Sequence, residues 1–255
     1  MSSHALRPLS IGEILDGAFT LYRRHFIVFV GTQAVILAPA GLIAFLQPVL
    51  ASFLLTFVLA YVAFGATIWQ MSRAAIGQDP DLMSGLRVGV RRYFPMLGIS
   101  IAYGFLIIVG ALGLIIGAFF MMIFLFAVHA VTIIENNAQT AIQRSFALAK
   151  GSKAKIFIVT VIAGIIAFLP SFSLEIAVGL ASTTGPGPDG EPIVLTDEHS
   201  PLIFCLQLFI QSLTVPFSAG SMTLLYYDQR VRKEGLDVEM SATALDGLPG
   251  GAPAS

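Results

Sequence analysis

Two long apolar runs, residues 26–72 and 93–134, contain no Asp, Glu, Lys or Arg. A helix of about 20 apolar residues crosses the hydrocarbon core of a bilayer, so each run is long enough to cross twice. The first breaks at Gln47-Pro48 and predicts spans over 26–46 and 49–70, with Trp69 placed as an interfacial anchor. As one helix, the stretch from Pro95 to Ile134 would be about 60 Å long, about twice the core thickness. A hairpin turning between Gly110 and Gly117 is expected instead, with spans over 95–112 and 115–134. Two more runs predict spans over 156–181 and 202–226. The polar, Gly/Pro-rich loop between them, 182–201, carries Asp189, Glu191, Asp197 and Glu198 but no Lys or Arg. Residues 236–255 read as a flexible tail, which leaves 1–235 as the membrane domain.

Between the apolar runs the period becomes amphipathic. Ser10 and Glu13 have capping-box spacing, and Ile11, Ile14, Leu15, Ala18, Tyr22 and Phe26 recur at helical intervals opposite Glu13, Asp16, Thr20 and Arg23. This predicts an interfacial helix over 10–25. Asp79 as N-cap with Pro80 at the first helical position opens a second, over 80–94. Leu82, Leu86, Val90 and Phe94 share one of its faces, and Ser84, Arg87 and Arg91 the other. A third covers 138–152 within "AQTAIQRSFALAKGSKAK". The first two share wording: "DGAFTLYRRHF" at 16–26 returns 68 positions later as "SGLRVGVRRYF" at 84–94. The predicted fold is all-α, with six transmembrane helices in three hairpin units, each preceded by an interfacial amphipathic helix. The repeats would be parallel, related by an axis along the membrane normal.

Composition agrees: 56% of residues are hydrophobic and 11% charged, against roughly 25% charged in soluble domains, and the mean hydropathy is +0.85. The net charge of −1 matters less than the placement of the 14 Lys and Arg. With six spans and both termini inside, all of them fall on the cytoplasmic side, as retention of basic loops requires. Five spans would move the cluster at 144–155 to the outer face. A multi-pass protein of a bacterial inner membrane with cytoplasmic termini is expected. The first apolar run starts only at Phe26, so this span is expected to be retained rather than cleaved as a signal peptide. Cys205 is expected to pack as a small apolar group.

Candidate chemistry is sparse. The histidines at 4, 25, 129 and 199 are scattered, and no metal, nucleotide or nucleophile motif is present, so no enzyme activity and no cofactor are expected. Arg23, Arg24, Arg91, Arg92, Arg144 and Lys150 are candidate headgroup ligands. Their plainer role is to fix topology and snorkel; anionic headgroups would add on the order of 1 kcal/mol per basic residue. In the last span Gln207, Gln211, Thr214, Ser218 and Ser221 form a stripe expected to face inward. With Pro39 and Pro216 as helix breaks, the stripe reads either as interhelical glue or as a polar path. His129, Thr132 and Glu135 are spaced by three, with Gln139 a turn beyond. They suggest a proton relay or headgroup site, or simply a Glu135 that pairs with Arg144. Gly113 and Gly117 match GxxxG beside a turn, a weak signal. The expected function is a non-enzymatic, lipid-associated module or scaffold; the alternatives are a small-molecule or lipid transporter or channel, and a membrane enzyme acting on lipids. Membrane lipids, anionic ones included, and a membrane-protein partner or second copy are the expected partners; nucleic acid is not.

Three segments, "LSIGEILDGAFTLYRRHF" at 9–26, "ENNAQTAIQRSFALAKG" at 135–151 and "TLLYYDQRVRKEGLD" at 223–237, together resemble the membrane domain found N-terminal to some bacterial glycerophosphodiester phosphodiesterases, and related small six-span proteins. In those fusions the catalytic part is a separate soluble barrel of roughly 250 residues, for which six spans leave no room here. The resemblance implies a membrane module or partner, not esterase activity.

Overall fold

The computed structural model describes residues 7–46, 49–112, 115–182, 184–186, 192–193 and 201–236. Its long elements are all α-helices: α1 (Ile11–Arg24), α2 (Phe26–Ala44), α3 (Val49–Ala75), α4 (Leu82–Arg91), α5 (Tyr93–Leu112), α6 (Ile115–Phe124), α8 (Ala141–Ala149), α9 (Lys153–Ser182) and α10 (Pro201–Glu234). One turn of helix, α7 (Val128–Ala130), runs into a π-helical turn at Val131–Glu135. Two short extended pieces, β1 (Thr184–Pro186) and β2 (Pro192–Ile193), pair antiparallel inside the loop before α10. The described residues contain six helical segments long and apolar enough to cross a membrane. The chain is an all-α, polytopic membrane protein. Gln47-Pro48, Gly113 and the tail from 237 onward lie outside the described residues.

The spans pair as α2 with α3, α5 with α6, and α9 with α10. Their outer faces are broadly apolar and exposed, for instance Ile27, Phe105, Ile116 and Phe168, as suits contact with lipid tails. Gly110 and Gly117 face each other across the turn of the second hairpin, each carbonyl standing where the other's Cβ would project.

The amphipathic helices follow a rule. α4 packs on α3, α8 on α6 and α7 as well as on α10, and α1 on α10, so each touches the second span of the hairpin before it and α1 closes the circle. Small residues make the α4 and α1 crossings: Gly85 and Gly89 press on Gln70 and Val62, Gly17 on Leu224, and Gly220 on Met71 and Ala18. The glycine repeated in both arginine phrases is thus a docking position. Each second span also ends in a left-handed residue, Gly77, Asn136 or Gly235, with φ of 81, 57 and 63°.

Several local expectations change. The N-cap of α4 is Asp81, whose carboxylate accepts from the Ser84 N–H at 2.7 Å, not Asp79. Buried on α4 are Gly85 and Gly89, while Val90 and Phe94 of the expected apolar face are exposed. The helix docks through its glycines, with Leu86 and Val88 half-buried against the core beside them. Trp69, expected as an interfacial anchor, is half-buried against the cluster of Ile68, Met96, Ile133 and Ala219. Pro39 and Pro216 do not break their helices; α2 and α10 run through them. The broken span is the fourth, which has no proline and unwinds at Leu125–Ala127. Ser145 of α8 compensates, donating to the Phe124 carbonyl at 2.7 Å and accepting from the Ala127 N–H at 3.0 Å.

Candidate anion-binding corners and two charge nodes

The last helix carries its charges past the membrane end and gathers the other elements on them. Asp228 is fully buried. Its carboxylate accepts from Lys155 Nζ of α9 at 2.5 Å, the Leu9 N–H at 2.7 Å, Gln229 Nε2 at 2.9 Å and Arg232 Nε at 3.0 Å. Lys155 and Arg232 also donate to the Leu9 carbonyl. One carboxylate therefore fastens the entry to α1, the start of α9 and α10 together. The α1 capping box beside this node is formed as the sequence predicted. The hydrogen bond from the Ser10 N–H, and then Arg7, hold Glu13 down at about 2.

Glu135, at the end of the π-turn, is the second node. It takes Arg144 Nε in a two-oxygen grip at 3.0 and 3.1 Å and the Tyr226 hydroxyl at 2.7 Å. Arg144 and Arg230 both reach Glu234 as well. Hydrogen bonding to Glu135 is the main cause that raises the Arg144 pKa above its ordinary value. Lys233 donates to the carbonyls of Ala147, Leu148 and Lys150, closing the C-terminal end of α8.

The candidate headgroup cations now divide. Arg144 is consumed by the second node. Arg23, Arg24, Arg91, Arg92 and Lys150 have no carboxylate partner among the described residues. The arginine pairs stand at the corners where α1 turns into α2 and α4 into α5.

The candidate polar path does not assemble. His129 lies 3.1 Å from Ser100 Oγ and packs edge-on to Phe64 and beside Tyr103, while Glu135 points to α8 and α10. The expected shared face presumed 3.6 residues per turn; the π-turn winds differently and separates them. Thr132 bonds back to the Val128 carbonyl. On α10 the buried face is Phe204, Leu208, Ser212, Pro216 and Ala219, so Gln207, Gln211, Thr214 and Ser218 are only half-buried; Ser221 is fully buried. Thr214, Ser218 and Ser221 hydroxyls bond to carbonyls of their own helix. An apolar cleft of about 340 Å³ between α2 and α10 is lined by Leu37, Gly41, Cys205, Leu208 and Phe209. Neither glutamine borders it, and the Cys205 thiol packs on the Gly41 carbonyl. No group of three or more His, Cys, Asp or Glu that could hold a metal occurs among the described residues.

Sequence reasoning missed the buried amide network of the first hairpin. Gln33 Nε2 donates to Thr67 Oγ1 at 2.9 Å, and Gln70 Nε2 to Thr32 Oγ1 at 2.7 Å and the Asp81 carbonyl at 3.1 Å. These bonds join α2, α3 and the start of α4. The adjacent Thr32 and Gln33 on α2, with Thr67 and Gln70 three apart on α3, were the available signal. Asp228 was also missed, although Asp228 and Arg232 have the i,i+4 spacing of a helical ion pair. Comparison with known proteins finds no matching family model, no matching curated protein and no matching solved structure.

Proposed function

We propose that this is a non-enzymatic, lipid-associated module of a bacterial inner membrane, with both termini cytoplasmic, that gathers anionic headgroups at its arginine corners. One observation carries this reading. The basic residues of α8, α9 and α10 are largely neutralised by Asp228, Glu135 and Glu234, whereas Arg23, Arg24, Arg91 and Arg92, where a surface helix enters the membrane, have no carboxylate partner among the described residues. Topology alone needs only a positive loop. Among the described residues the structural cations are ion-paired with carboxylates, whereas neither arginine pair is. The resemblance to phosphodiesterase membrane domains points the same way, to a module that works beside lipid chemistry performed elsewhere. The half-exposed Gln207 and Gln211 suit a hydrogen-bonding helix of a partner protein or a second copy. A transporter reading loses its path, because the stripe borders no cavity among those described and the proline helices are unbroken.

Native mass spectrometry from mild detergent, with phosphatidylglycerol and phosphatidylcholine added in equal amounts, tests the proposal. Preferential retention of phosphatidylglycerol is expected, falling when Arg23, Arg24, Arg91 and Arg92 are together changed to Gln. At about 1 kcal/mol per basic residue, the four changes remove about 4 kcal/mol and should weaken retention on the order of a thousandfold. Equal retention of the two lipids would refute it.

A further inference from the structure

The two arginine corners are not equivalent. At the second, Arg92 and Pro95 face Thr132, Asn136, Asn137 and Gln139 across an open recess of about 380 Å³. Arg92 is the one charged residue lining it. The acid next in the chain, Glu135, is engaged by Arg144 and Tyr226 and does not border it. Burial and the neighbouring Arg91 both push the Arg92 pKa down, the mark of a cation without a counter-charge.

The opposite wall supplies donors. Asn136, left-handed at φ 57°, ends the π-turn and turns the chain into the recess; asparagine tolerates that conformation better than most residues. The Asn137 side-chain oxygen accepts from the Thr140 N–H at 3.2 Å, which leaves its NH2 group free to donate. Gln139 adds a second amide beside it. A guanidinium and neutral amides around a space with no carboxylate form the donor set of an anion site, and the guanidinium fork fits phosphate oxygens.

The first corner lacks this set. Arg24 is in register with Arg92, and Gly77 takes the place of Asn136 as the left-handed residue. The loop after Gly77 carries Asp79, close enough to favour the charged form of His25 against the effects of burial and Arg24. Unit one thus supplies its own acid where unit two has only amides.

We propose that the recess at the second corner binds the phosphate group of an anionic phospholipid headgroup, held by the Arg92 guanidinium and the side-chain amides of Asn137 and Gln139. This rests on the lipid-associated reading above and assigns it one site. Pro95 and Thr132 belong to the ends of spans three and four, which places the recess at headgroup depth. A free phosphate ion offers the same oxygens, so the test separates the two sources.

The full-length protein in mild detergent is titrated with phosphatidylglycerol and phosphatidylcholine by native mass spectrometry, and with inorganic phosphate by calorimetry. The variants are Arg92→Gln, Asn137→Asp and, as control, Arg87→Gln, an exposed charge on the same helix outside the recess. Asn137→Asp keeps the acceptor for Thr140 while placing a negative charge in the recess. The expected result is one tightly retained phosphatidylglycerol whose affinity falls on the order of tenfold in Arg92→Gln and Asn137→Asp, the loss of one charge-assisted hydrogen bond, and is unchanged in Arg87→Gln. If phosphatidylglycerol is preferred but these two variants lose no more than the control, the recess is overturned while the lipid reading stands. If no anionic lipid is preferred, the lipid reading falls. Phosphate bound by the native protein and lost in Arg92→Gln would then leave the recess as a free-phosphate site, and no phosphate binding would overturn it too.

Discussion

Exchanging Asp228 for alanine is expected to destabilise the protein by about 3–5 kcal/mol, the range for removing one partner of a buried ion pair. Asp228 is fully buried and takes two cations and the Leu9 N–H. Without it, Lys155 and Arg232 face each other across the Leu9 carbonyl with no counter-charge. Asp228→Asn keeps an acceptor but not the charge, so an intermediate loss follows. The damage should be local as well as global. Amide hydrogen exchange should speed up first over Ile11–Arg24, because Asp228 ties the chain entering α1 to α10. An unchanged exchange pattern in α1 would mean that helix packing alone closes the circle.

The second large effect is expected at Gly89. A Cβ there would run into the Val62 backbone carbonyl, which cannot rotate away. Gly89→Ala should force α4 off α3 at about 1–3 kcal/mol, the usual cost of overpacking. Gly85 meets only the Gln70 side chain, but that amide is committed to Thr32 and Asp81, so Gly85→Ala is expected to follow at lower cost. Gly98→Ala, with open space around its Cβ position, should leave the melting temperature unchanged. Thermal unfolding in one detergent ranks the three; equal melting temperatures would remove the glycine docking rule.

Much of the architecture was legible because lipid imposes a simple code. A span must be apolar along its whole length, so the runs at 26–72 and 93–134 declared their hairpins without any packing information. The α1 cap was legible because Ser10 and Glu13 act within one turn. What stayed hidden depends on long-range geometry. The break in span four has no proline to announce it and persists because Ser145, from a helix later in the chain, satisfies the freed backbone groups. The polar stripe of α10 was read correctly as a stripe but lies along the edge of the buried face rather than at its centre, entering the bundle fully only at Ser221. Periodicity fixes which residues share a face, not which face a neighbour covers, and Leu208, Ser212 and Pro216 meet the bundle instead. Among the candidate cations, the sequence already offered Arg144 as a partner for Glu135, and the structure pairs them; the rest looked alike as letters. The second carboxylate on Arg144, Glu234, and the lack of a carboxylate around Arg92 depend on long-range geometry.

Both the lipid reading and the Arg92 site require the three hairpins to return every basic segment to one membrane face. The most direct measurement is thiol accessibility in a Cys205→Ser background, with single cysteines in place of Leu46, Gln78, Leu112 and Gln143, all exposed positions at the ends of elements or on their outer surface. A membrane-impermeant maleimide applied to inside-out and right-side-out vesicles should label Gln78→Cys and Gln143→Cys from the cytoplasmic side only, and Leu46→Cys and Leu112→Cys from the other. Labelling of Gln78→Cys and Gln143→Cys from opposite sides would contradict the account, because Arg92 and Arg144 would no longer belong to one face.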